Sequence, residues 1–83
     1  AETAPDLIIL NLTMPGLDGF EVLKRLRAHP ATTRVPILVL SGATEADAQA
    51  AIQLGADDFL AKPVSPRMLV SAIHALLGRR PSG

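Results

Sequence analysis

The chain contains no cysteine, no tryptophan and no tyrosine, and only two phenylalanines among its 83 residues. Without cysteine there is no disulfide framework, no thiolate zinc site and no cysteine nucleophile. An excess of one charge is missing too: eight Lys/Arg face eight Asp/Glu, for a net charge of zero. With no basic surplus to neutralise phosphates, nucleic acid is not an expected partner. Long apolar runs are absent as well, since the longest, residues 7–10 and 37–40, fall far below the ~20 residues a membrane helix needs. No basic-then-apolar leader opens the sequence. A cytoplasmic piece without membrane contact is the expectation. What is present is 48% apolar residues at zero net charge, a balance that argues against disorder. At 83 residues the chain is about half of the ~150 typical of a domain, so it is one domain or less.

Three times an apolar β-like run is followed by a stretch of helical period. Residues 7–10, continuing through Asn11 and Leu12, are apolar without alternation, which suits a strand covered on both faces. Residues 14–19 then carry turn chemistry, with Pro15 fixing φ and Gly16 and Gly19 allowing positive φ. Asp18 reads as a helix N-cap, with Glu21 three residues on to complete a capping box. Phe20, Val22, Leu23 and Leu26 form the buried side of this helix, Glu21 and Arg25 its wet side, and Pro30 stops it. The second unit is a strand over 35–40, then a helix capped by Thr44 and Asp47 that runs to about Leu54. Its apolar side, Ala48, Ala51 and Ile52, is thin, and Gly55 ends it at the C′ position. The third unit is a strand over 59–61, then Ser65 as N-cap, Pro66 at the first helical position and a stripe of Leu69, Ala72, Ile73, Leu76 and Leu77. Gly78 closes that helix, and 79–83 is a polar tail. The alternation βαβαβα implies an α/β fold: three parallel strands with right-handed crossovers and helices on both faces.

In open parallel sheets, ligands bind outside the carboxyl ends of the strands. That end gathers Asn11 to Thr13, Ser41-Gly42 and Lys62-Pro63: a carboxamide, a hydroxyl and an ammonium. Lys62 suits an anion, Ser41 can donate to an oxyanion, and nearby helix N-termini favour negative charge. This is the outline of a phosphate or acyl-phosphate site without metal ligands. The plainer alternative has Lys62 pairing with a nearby carbonyl and Ser41 serving the turn. Residue chemistry leaves both open. Elsewhere, Asp57-Asp58 precedes its strand and so lies at the far end of the sheet, as a solvated strand entry. His29 and His74 are surface residues, Met14 and Met68 turn and core packing, and Arg79-Arg80 complements a helix dipole.

Residues 5–19, PDLIILNLTMPGLDG, resemble the phosphoacceptor segment of response-regulator receiver domains, P-D-L-(apolar)₃-D-L-x-M-P-x-x-D-G. Residues 36–42, PILVLSG, resemble that family's fourth strand, and 55–63, GADDFLAKP, resemble its G-A-D-D-(Y/F)-(L/I)-x-K-P fifth-strand segment. The resemblance implies a partial flavodoxin-like receiver fold over 1–78. It also implies that Asn11 stands where the family has its phosphorylated Asp, and Ser41 at the hydroxyl that follows the phosphoryl group on activation. Phe59 stands at the aromatic whose rotamer is coupled to that hydroxyl, and Lys62 at the lysine on the phosphoryl oxygens. The bond before Pro63 is expected cis, and the Thr13 carbonyl falls where the family supplies a magnesium ligand.

Two departures bear on function. A carboxamide at position 11 has no anionic oxygen to attack a phosphohistidine, so no acyl-phosphate is expected. The resemblance also starts after the family's first strand, first helix and second strand, and so without the acidic pair that holds Mg²⁺. No cofactor is expected for the chain as given. The reading is a two-component receiver, partner to a sensor histidine kinase or phosphotransfer protein, in a form not competent for phosphorylation. The alternative is a pseudo-receiver acting through protein–protein contacts; an aspartate codon at position 11 of the native gene favours the first, an asparagine codon the second. An independent enzyme is not expected, because the strand ends carry no general base. Loss of the neighbouring strand would leave residues 7–10 as an uncharged open edge, so self-association is expected for this chain.

Overall fold

The computed structural model describes residues 5–12, 18–42 and 45–79. The elements run β1 (Ile8–Asn11), α1 (Gly19–Ala28), β2 (Ile37–Ser41), α2 (Glu45–Gln53), β3 (Asp58–Ala61) and α3 (Pro66–Arg79). The strands are parallel in the order β1-β2-β3, with Ile8 opposite Ile37 and Val39 opposite Phe59. Side-chain alternation divides the core between the two faces of the sheet. One face joins Leu10, Ile37 and Val39 to Leu23 of α1, Ala51 of α2 and Ala56, with Phe20, Leu26, Leu54 and Phe59 packed around them. The other joins Leu38 to Ala72 and Leu76 of α3, with Leu40, Leu60, Leu69 and Ile73 at the margin. β2 is buried on both faces, which is why its sequence is apolar without a break.

Local chemistry sets the ends of the helices. Asp18 accepts from the N–H groups of Phe20 and Glu21, at 3.0 and 3.4 Å, satisfying two orphan donors of α1. The Glu21 carboxylate lies 3.7 Å from Lys24 and 3.5 Å from Arg25. Only the Asp18 half of the expected capping box is therefore observed as a hydrogen bond. Ser65 caps α3 through a 3.1 Å bond from the Met68 N–H. α2 closes in a Schellman turn: Gly55 N–H donates to the Ile52 carbonyl and Ala56 N–H to the Ala51 carbonyl, both at 3.0 Å. Gly55 has φ +114°, the conformation that only glycine adopts without strain.

Several expectations need correction. α3 continues through Gly78 to Arg79, because Gly78 is tolerated inside an exposed helical turn. Ile52 is 47% exposed and Leu54 packs into the core in its place, since an alanine-rich helix does not fix its own rotation. Met68 is 48% exposed rather than core, because it lies off the Leu69–Ala72–Leu76 line that faces the sheet. Gly19 does not serve a positive φ. It is helical and buried, and an added Cβ would sit 2.6 Å from Leu12 Cδ2. The expected roles of Gly16, Met14, Thr44 and the 80–83 tail lie outside the described residues.

Candidate functional site

The carboxyl ends of the three strands meet through backbone bonds that continue the sheet beyond its last residues. Leu12 N–H donates to the Leu40 carbonyl, and Lys62 N–H to the Ser41 carbonyl, each at 2.9 Å. These bonds bring the last residue of β1 and the first residue after β3 to the same end of the central strand. Across that end, the Lys62 ammonium donates from Nζ to Asn11 Oδ1 at 3.0 Å, linking residues 51 apart in the chain. Ser41 lies between them in strand order and is 1% exposed, one of the most enclosed side chains among the described residues. The Lys62–Pro63 peptide is cis.

Asn11 and Lys62 are thus brought into contact, with Ser41 beside them through the backbone bond to Lys62. Phe59 is not part of this polar group. It packs half-buried against the cluster of Leu10, Leu23 and Val39, on the side covered by α1 and α2. Thr13 lies outside the described residues. His29 and His74 are on the surface, and the His29 ring accepts the Ala31 N–H at Nδ1.

Chemically, the site pairs a cation with a neutral amide. A carboxamide oxygen accepts a hydrogen bond from an ammonium, but it carries no charge, and the amide nitrogen is not nucleophilic. Magnesium is held mainly by carboxylate oxygens, with water and phosphate completing the shell. Among the described residues no three His, Asp or Glu side chains gather closely enough to hold a cation. The described side chains at this end of the sheet therefore do not form a magnesium site.

Sequence reasoning missed Arg27. Its guanidinium reaches Asp57 Oδ2 at 2.7 Å and the carbonyls of Gly55, Thr32, Thr33 and Val35 at 2.7–3.2 Å. Asp57 Oδ2 also accepts the Ile37 N–H at 2.8 Å, so Asp57 is a tied residue and not merely a solvated strand entry. The Asp57 carboxylate was the one local signal, because a charge at the entry of a buried strand calls for a partner.

The sequence matches the response regulator receiver domain family over residues 1–74. It is 40% identical over 80 residues to the phosphate regulon transcriptional regulatory protein PhoB of Pseudomonas aeruginosa, covering 95% of this chain and 35% of that protein. Among solved structures, it resembles the signal receiver domain of a DNA-binding response regulator from Colwellia psychrerythraea 34H. There the TM-score is 0.80 and the identity 32%, over 90% of this chain and 62% of that one. It is similar also to the receiver domain of the sensor histidine kinase PA1611 from P. aeruginosa PAO1, solved with magnesium in its active-site cleft: TM-score 0.80, identity 31%, coverage 93% and 64%. The chain thus spans about a third of the curated relative and under two thirds of each of these solved domains. With the family match over residues 1–74 and three parallel strands with helices on both faces, the chain belongs to the response-regulator receiver family.

Proposed function

We propose that the chain serves two-component signalling as a receiver that does not accept a phosphoryl group. The observation that carries this reading is the 3.0 Å contact from Lys62 Nζ to Asn11 Oδ1. It joins the Asn11 carboxamide, which by the family resemblance stands at the acceptor position, to Lys62, which by the same resemblance would meet phosphoryl oxygens, and so supports a site without an acceptor carboxylate. Transfer from a phosphohistidine requires an anionic oxygen in line with phosphorus, and Asn11 supplies none. The partner is a sensor histidine kinase or a phosphotransfer protein, the setting is cytoplasmic, and the role is regulatory rather than catalytic. Among the described residues no helix is long and apolar enough to cross a membrane.

A test is to mix the chain with a radiolabelled phosphohistidine donor and follow both label and complex. The expected result is label retained by the donor. Label on this chain at position 11 refutes the proposal. Binding without transfer favours the pseudo-receiver form of the reading, in which contact alone carries the signal. Self-association belongs to the same proposal. β1 is the outer strand of the described sheet, Ile9 on it is 45% exposed, and Val70 and Leu77 of α3 are 50% and 37% exposed.

A further inference from the structure

Asn11 is the only asparagine in the chain, and asparagine is a residue that can become aspartate with no enzyme at all. The usual route is a ring closure. The backbone nitrogen of the following residue attacks the side-chain carbonyl carbon, Cγ. The proton of that nitrogen and the side-chain NH₂ leave together as ammonia. Water then opens the cyclic imide on one side or the other, giving aspartate or isoaspartate. At position 11 the aspartate product would supply the very carboxylate that the site lacks. The fold around Leu12 therefore decides whether the site can change its own chemistry.

The nucleophile for that ring is the Leu12 nitrogen, and it is held from several directions. Its N–H donates to the Leu40 carbonyl at 2.9 Å, which carries the β1–β2 ladder one residue past the Asn11–Leu40 pair. Closing the ring requires Asn11 to turn its ψ out of the β region, and that breaks this bond. Leu12 is also lodged against the first turn of α1. A Cβ on Gly19 would lie 2.7 Å from Leu12 Cα and 3.2 Å from its carbonyl oxygen, and the Leu12 side chain packs on the cluster around Leu10 and Leu23. The reacting carbonyl is tied as well, since Lys62 Nζ donates to Asn11 Oδ1 at 3.0 Å. That bond draws electrons from Cγ, but activation does nothing for a ring whose nucleophile cannot arrive. We infer that Asn11 is a guarded carboxamide: in the folded chain the Leu12 nitrogen is withheld from Cγ, and ring closure proceeds only when this end of β1 opens. The weight of this for signalling rests on the acceptor reading of position 11; the guarding itself does not.

The test incubates the whole chain at mildly alkaline pH, folded in buffer and unfolded in guanidinium chloride, until the unfolded sample has gained measurable deamidated mass. A dilute sample keeps pairing between copies from adding protection at β1. Peptide mapping assigns the gain to Asn11 rather than to Gln49 or Gln53, the other carboxamides of the chain, and separates aspartate from isoaspartate. Conversion at Asn11 is expected to run roughly tenfold or more slowly in the folded chain, the scale of the hydrogen bonds that must open first. A smaller difference, or isoaspartate accumulating in the folded chain at the unfolded rate, overturns the inference. No phosphoryl transfer enters the measurement, so its failure is separate from failure of the receiver reading.

Discussion

A methyl group added at Gly19 would meet Leu12 Cδ2 at 2.6 Å and Leu12 Cα at 2.7 Å. The side-chain atom could turn away, but the backbone atom lies in the segment that carries Asn11 and cannot. Gly19→Ala is therefore expected to lower stability by about 1–3 kcal/mol, the usual cost of overpacking, measured as a shifted urea midpoint. Gly55→Ala is expected to cost a similar ~1–3 kcal/mol for a different reason, since its φ of +114° strains any side chain and the new Cβ would also displace Arg27. Asn11→Asp provides the contrast. It turns an exposed amide–ammonium contact into an exposed ion pair, and such pairs contribute only ~0–1 kcal/mol. A midpoint shift larger than that would mean the site is more enclosed than its contacts show.

Among the elements, β2 and the two capped helices were legible in the sequence because their signals are local. A continuous apolar run marks a strand buried on both faces, and Asp18 and Ser65 announce helix starts within a few residues. What could not be read depends on packing across the chain. The rotation of α2 is an example: with mostly alanine on its inner side, nothing in its sequence ranks Ile52 below Leu54, yet Ile52 faces solvent. Arg27 is another, because four of its acceptors are backbone carbonyls that only the folded loops collect. That Asn11, Ser41 and Lys62 share one end of the sheet was legible from the strand ends, whereas the contact between Asn11 and Lys62 required the folded sheet. The rotation of α2 yields a direct comparison. Ile52→Ala is expected to change stability by no more than about 0.5 kcal/mol, as at an ordinary surface site. Leu76→Ala, which empties a 2% exposed position under α3, is expected to cost about 2–5 kcal/mol. Thermal or urea unfolding of the two variants distinguishes them.

At the scale of the described sheet, β2 is paired on both edges and β1 is an outer strand whose residues Ile8 to Asn11 carry no charge. Uncharged outer strands pair readily with other chains. Sedimentation of the chain at micromolar concentration is expected to show a dimer or larger species, and a compact, cooperatively unfolding monomer would contradict that expectation. The functional account, however, rests on the chemistry of one side chain held by one lysine. Its most direct test is the intact mass of the chain after incubation with acetyl phosphate and magnesium, followed by peptide mapping. The expected result is an unchanged mass; a phosphoryl group found on position 11 would contradict the account.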